Sequence, residues 1–240
     1  MIVSSDNDRL KMVRKLGSRK WRERERAFVT EGEDLLAAGI EQGREPLDVL
    51  VAAESGLEGT EVEPHLLDGV SALGSGTRVI AVWPIPEPAG EPGAVVYLHG
   101  VADPGNVGTI IRTAAALVGA PVVLGPGSAD PYSPKGVRAT MGALFGSPPA
   151  TGTLADTPAP RLALVAHDGD EIDAAIYALG GAQPTLCLGG ERGGLPEELL
   201  GECDARATIP LRAGSESLNV AAAAAIGLQR ISSLRAAGSG

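Results

Sequence analysis

From Ala94 onward the chain repeats one pattern, and that pattern limits the fold more than anything else in it. Short apolar runs at 94–98, 121–124, 162–166, 185–188 and 207–211 read as strands. Helical patterns follow Asn106, start near Pro134, cover Ile172 to Leu179, and run from Asn219 to about Leu234. Strands alternating with helices predict an α/β domain: a mostly parallel sheet with helices on both faces. In such sheets ligands collect beyond the carboxyl ends of the strands, so the turns that follow the strands are the places to search for chemistry.

Three of those turns stand out. In the first, Asp103-Pro104-Gly105 is a turn signal and Asn106 occupies an N-cap position ahead of the stripe Val107, Ile110, Ile111, Ala114, Ala115 and Val118. Arg112 lies off that stripe, and a helical side chain leans toward its own N-terminus, so Asn106 and Arg112 are expected to meet at the mouth of the helix. The second turn, Leu188-Gly-Gly-Glu-Arg-Gly-Gly-Leu-Pro196, sets four glycines around one Glu–Arg pair, which lets backbone approach a ligand. The third runs from Thr208 through Ile209-Pro210 to Ser217-Leu218-Asn219, where Ser217 and Asn219 are natural helix caps. An ordinary strand-turn-helix explains each turn taken singly.

Neither the glycine-rich second turn nor Gly125-Pro-Gly127 has the G-x-G-x-x-G spacing of a dinucleotide site or the Lys-Ser/Thr of a P-loop. Ser217 lacks a G-x-S-x-G elbow, which argues against a hydrolase. Cys187 and Cys203 are the only cysteines and have no metal-type spacing, while His65, His99 and His167 are scattered; no metal is expected, and a reducing, cytoplasmic setting is. No apolar run is long enough to span a membrane.

Residues 1–83 read as a separate small α/β domain. Pro84 to Gly93, with four prolines in ten residues, reads as a semi-stiff linker. Residues 94–235 form the repeating domain, and 236–240 a disordered tail. Net charge is −10, yet nine cations crowd Arg9 to Arg26. A basic segment on an acidic body suits a polyanion held at one surface, and a solvated helix face laced with Glu–Arg pairs is the other explanation. The last helix carries apolar residues on two sides, with Leu218, Ala221, Ala222, Ala225 and Ile226 on one stripe and Val220, Ile231 and Leu234 away from it. One side can face the sheet and the other a second subunit.

Taken together and in order, three motifs resemble those of the SpoU branch of the SPOUT RNA methyltransferases. They are Asn106-x-Gly108-x-x-x-Arg112-Thr113, then Leu188-Gly189-x-Glu191-x-x-Gly194, then Ile209-Pro210 with Ser217-Leu218-Asn219-Val220. Lys135-Gly-Val-Arg138-Ala-Thr-Met-Gly142 also resembles a family segment, with Thr140 where serine is more usual. Gly190 stands where the family more often has asparagine, and Arg192 where it has a small or acidic residue. The stretch around Phe28-Val-Thr-Glu-Gly32 is similar to the ribosomal-protein-like domain of the ribosomal-RNA members.

The resemblance implies methyl transfer from S-adenosylmethionine to a ribose 2′-hydroxyl of structured RNA, by a homodimer whose C-terminal domain holds a deep trefoil knot. Ribosomal RNA is favoured; transfer RNA, methylation of a base, and a non-catalytic RNA-binding module are the alternatives. By motif match Arg112, Asn106, Glu191, Ser217 and Asn219 form the catalytic set. Ala166, Gly189, Gly190, Ile209, Pro210 and Leu218 hold the cofactor. Arg14, Arg19, Lys20, Arg22, Lys135 and Arg138 contact RNA.

Overall fold

The computed structural model describes residues 1–88, 95–180, 182–212 and 214–238, and the side chains to residue 234. Two compact units are present. The first comprises Met1–Glu87 and Asp130–Gly146, and the second comprises Pro88–Ala129 and Ser147–Gly240.

The first unit begins with helices α1 (Asp8–Leu16) and α2 (Arg19–Glu25), then β1 (Ala27–Glu31), α3 (Glu33–Glu41), β2 (Asp48–Ala52), β3 (Thr60–Val62), α4 (Pro64–Asp68) and β4 (Val79–Pro84). The sheet order is β1-β4-β2-β3, with β2 and β3 parallel and the other pairs antiparallel. Asn7 caps α1 through a 2.9 Å bond from the Arg9 amide. The inner face of α1 buries Leu10, Val13 and Leu16 against Leu50, Val62, Leu67 and Ile80. β3 is too short and too polar, Thr-Glu-Val, for its alternation to mark it in the sequence.

Residues 130–146, which the sequence reading counted within the domain beginning at Ala94, belong to this first unit. The cause is aromatic packing. Phe28 lies 5.1 Å from Tyr132 and 5.7 Å from Phe145, ring centre to ring centre, and Phe145 lies edge-on to Trp83 at 4.7 Å. Arg44 adds two hydrogen bonds to the Phe145 carbonyl, at 2.8 and 3.1 Å.

The second unit starts with β5 (Val96–His99), α5 (Pro104–Val118) and β6 (Val122–Leu124). Helices α6 (Pro134–Thr140) and α7 (Ala143–Gly146) belong to the first unit. The second unit resumes with β7 (Ala150–Thr151), β8 (Arg161–Leu164), β9 (Asp170–Glu171), α8 (Ile172–Ala178), β10 (Thr185–Gly189), α9 (Glu197–Leu200), β11 (Ala205–Thr208) and α10 (Val220–Gly238). Its seven strands run in the order β7-β6-β5-β10-β8-β11-β9, and every pairing is parallel. Of the linker read at 84–93, residues 89–93 lie outside the described residues. So do 239 and 240 of the tail, while α10 continues through the position where that tail was placed.

The last helix divides differently from the sequence reading. Val220, Ala221, Ala224, Leu228 and Ile231 form the buried side, and Leu186 of β10 packs close against Gly227. Ala222 is exposed and Ile226 is 37% exposed. A stripe drawn among so many alanines is nearly degenerate in direction, because small side chains mark no face strongly.

Candidate active site at the carboxyl edge

Strand order creates the site. β10 inserts between β5 and β8, so the sequence-distant turns after β5, β8, β10 and β11 open on one edge. The glycine-rich turn after β10 is closed by a bridge between Gly190 and Gly194. A Cβ on Gly189 would lie 1.9 Å from the Gly194 backbone, and one on Gly190 would lie 2.3 Å from the Gly100 carbonyl. Only glycine permits this close passage, and no side chain covers the edge there.

The first helix of the site is capped by Asp103, not by Asn106. The Asp103 carboxylate accepts from the Gly105 amide at 2.6 Å, and Pro104 fills the first helical position, where a missing N–H costs nothing. Asn106 sits one turn in, and its side chain is free for other partners. It donates to Glu191 Oε1 at 2.7 Å and accepts from Asn219 Nδ2 at 3.1 Å. Asn219 caps α10, its Oδ1 accepting from the amides of Ala221 and Ala222. One hydrogen-bonded chain, Glu191–Asn106–Asn219, thus ties the three turns and the N-termini of α5 and α10 together.

Two clefts flank this chain. The first, about 550 Å³, lies over the ends of β8, β10 and β11. Of the residues predicted to hold a cofactor, Ala166, Gly189, Gly190, Ile209 and Leu218 line it and Pro210 does not; Glu191 and Ser217 line it as well. The second lies between the ends of β5 and β10, bounded by His99, Ala102, Asp103, Asn106 and the 190–194 turn. The sequence reading did not single out this second space.

Arg112 stands apart. It is exposed, lines neither cleft, and makes no hydrogen bond or ion pair among the described residues. The expected meeting with Asn106 does not occur. Six residues of helix carry Arg112 roughly 9 Å along the axis and roughly 120° around it, beyond what backward lean recovers.

The residues predicted to contact RNA fare unevenly. Arg14, Arg19, Lys20 and Lys135 are exposed and Arg138 is half-buried. Arg22 is buried: its guanidinium donates to Asp130 Oδ2 at 2.6 and 2.9 Å and to the Leu16 carbonyl at 2.7 Å. It is a strut of the first unit rather than part of its surface. Among the described residues no group of His, Cys, Asp and Glu could hold a metal, and no helix is long and apolar enough to cross a membrane.

The fold and edge define an α/β protein with a ligand cleft at the switch point of a parallel sheet. Residues 93–229 match the SpoU rRNA Methylase family, and the chain belongs to that family. A relative from Bacillus subtilis (strain 168), 23S rRNA (guanosine(2553)-2′-O)-methyltransferase RlmP, is 30% identical over 249 residues, covering 94% of this chain and 96% of its own length. The SpoU methyltransferase AviRb from Streptomyces viridochromogenes, solved with the cofactor AdoMet, superposes with a TM-score of 0.83 at 26% identity, over 96% of this chain and 98% of that one. An AdoMet-bound rRNA methyltransferase from Sinorhizobium meliloti also gives 0.83, at 28% identity and 96% coverage of both chains.

Proposed function

We propose that this protein transfers the methyl group of S-adenosylmethionine to a ribose 2′-hydroxyl of structured RNA, with ribosomal RNA as the favoured class. The observation that carries the reading is the Glu191–Asn106–Asn219 chain beside the 550 Å³ cleft. The cleft has the volume of a small-molecule site, and the bare glycine turn offers backbone to a ligand of the cofactor's size. Ala166, Gly189, Gly190, Ile209 and Leu218 hold the cofactor. When bound, S-adenosylmethionine supplies a methyl already activated by its sulfonium.

What the chain must add is position. Asn106, Glu191, Ser217 and Asn219 orient the nucleotide. Arg112 holds the phosphate and the 2′-oxygen electrostatically, through a planar guanidinium that donates hydrogen bonds and accepts none. The protein works as a homodimer: Leu117 of α5 and Ile226 of α10 are large apolar side chains left exposed for a second copy to cover. Arg112 lines neither of the two clefts, and we assign it to the nucleotide bound by the partner subunit. The second unit, without residues 130–146, is the methyltransferase domain with the family's deep knot. The first unit, with Arg14, Arg19, Lys20, Lys135 and Arg138 on or near its surface, binds substrate RNA. The setting is cytoplasmic.

The test is transfer of labelled methyl to undermodified ribosomal and transfer RNA in parallel, followed by nuclease digestion. Label recovered as a 2′-O-methyl nucleotide from ribosomal RNA is the expected result. Label on a base, or in transfer RNA alone, would replace the reaction or the substrate class.

A further inference from the structure

The second cleft is bounded in part by Asn106 and Glu191, but its other lining residues have no role in what precedes. It is wide, about 880 Å³, and lies between the carboxyl ends of β5 and β10, the neighbouring strands at the switch point. Its floor is His99 and Gly100, one wall is Ala102 to Asn106, and the other is the 190–194 turn. That turn also walls the first cleft, so the two spaces share one thin partition. A reaction joining two reactants needs that arrangement: separate pockets whose contents meet at a common edge. The Asn106–Glu191 hydrogen bond sits on the edge itself.

The charges around the cleft are unequal in what they leave open. Asp103 is committed to the α5 amides, and Glu191 to Asn106. Arg192 is exposed in the shared turn, lines both clefts, and forms no hydrogen bond or ion pair among the described residues. A cation held at a cleft mouth among glycines, without an internal partner, is available to an anion from outside. His99 presents an imidazole whose Nδ1 lies 3.5 Å from the Tyr97 hydroxyl, with Nε2 unpartnered among the described residues. An aromatic ring and a free guanidinium at one cleft match a nucleotide, which carries a base and a phosphate.

We propose that the cleft between β5 and β10 is the acceptor pocket, which receives the target nucleotide out of its stack, and that Arg192 pairs with that nucleotide's phosphate. The assignment rests on the methyltransferase reading above. Arg192 is a positioning residue for RNA, not a cofactor ligand, although it lines both clefts.

The experiment uses the full chain and three variants: Arg192→Gln, Arg192→Lys and Ala102→Trp. Ala102 is exposed and lines the second cleft only, so the indole fills that pocket without entering the first or disturbing the core. Steady-state transfer to ribosomal RNA is measured with S-adenosylmethionine affinity by calorimetry. Arg192→Gln is expected to raise KM for RNA about tenfold, to leave cofactor affinity within about twofold, and to lower the salt slope of KM by about one. Arg192→Lys recovers part of the loss, and Ala102→Trp raises KM with cofactor affinity unchanged. A parallel titration with uridine and cytidine 5′-monophosphates, on protein saturated with S-adenosylhomocysteine, needs no turnover. Weak binding that both Arg192→Gln and Ala102→Trp reduce is expected. If the wild type transfers no methyl but shows this binding, the function above is wrong and the nucleotide pocket stands. If Arg192→Gln weakens the cofactor and spares RNA KM and monophosphate binding, Arg192 belongs to the first cleft and the proposal is overturned.

Discussion

The basic segment of the first unit and the turns at the carboxyl edge of the second use polar groups in opposite ways. In the segment from Arg9 to Arg26, nearly every cation is matched. Arg9 meets Asp48, Lys11 meets Asp6 and Asp8, Arg19 meets Glu23, Arg22 meets Asp130 and Arg26 meets Glu87. Lys15 and Arg24 lie against Trp21, at 4.7 and 4.8 Å from the ring centre. Lys20 is the one cation of the segment with no partner among the described residues. At the carboxyl edge Arg192 and Ser217 form no hydrogen bond or ion pair among the described residues, and Arg112, further along α5, forms none either. The density of charge in a sequence is therefore a poor guide to the charge a protein can offer. Function gathers where the fold leaves groups unpaired.

The contrast can be broken in graded ways. Arg112→Ala carries the largest expected effect: transfer falls by about a thousandfold, with S-adenosylmethionine affinity within about twofold. Near-normal turnover would remove the open valence from the chemistry. Mixing that variant with an equally inactive Asn106→Ala then locates the residue. If Arg112 serves the partner subunit, mixed dimers regain up to about a quarter of wild-type activity, since half are heterodimers with one intact site. If it serves its own chain, they regain none.

Arg22→Ala tests the other side of the comparison. Removing the guanidinium leaves Asp130 nearly buried and unpaired, and urea unfolding should show a loss of about 3 kcal/mol. A loss under about 0.5 kcal/mol, as for an exposed pair, would return Arg22 to the surface. Gly189→Ala drives a methyl into the Gly194 backbone, and cofactor affinity should fall about tenfold, in line with overpacking costs of about 1–3 kcal/mol. The smallest effect belongs to Lys20→Gln. It should raise KM for RNA about threefold and flatten its salt dependence slightly, as the loss of one phosphate contact does. Arg24→Gln, whose charge rests on Trp21 and Glu25, should do less.

Much of the architecture was legible in the residues. Periodicity and turn chemistry located β5, β6, β8, β10 and most of α5, because those signals come from neighbours three or four residues away or from alternation. They failed at β3, β7 and β9, pieces of two or three residues that exist only because a neighbouring strand offers hydrogen bonds. The α5 cap at Asp103 rather than Asn106 is readable in principle, since an Asp directly before Pro suits a helix start as well as a turn.

The sequence by itself determined the alternation of strands and helices, the three turns and the family they belong to. Each of those depends on residues close together in the chain. Tertiary structure alone decided that Asn106 would bridge Glu191, 85 residues on, and Asn219, 113 residues on. It also decided that Arg22 would be consumed by Asp130, 108 residues away. Strand order lies behind the first outcome and aromatic packing behind the second. Both are settled by which long-range pairings bury the most apolar surface with every polar group satisfied, a global condition that no local window of sequence expresses.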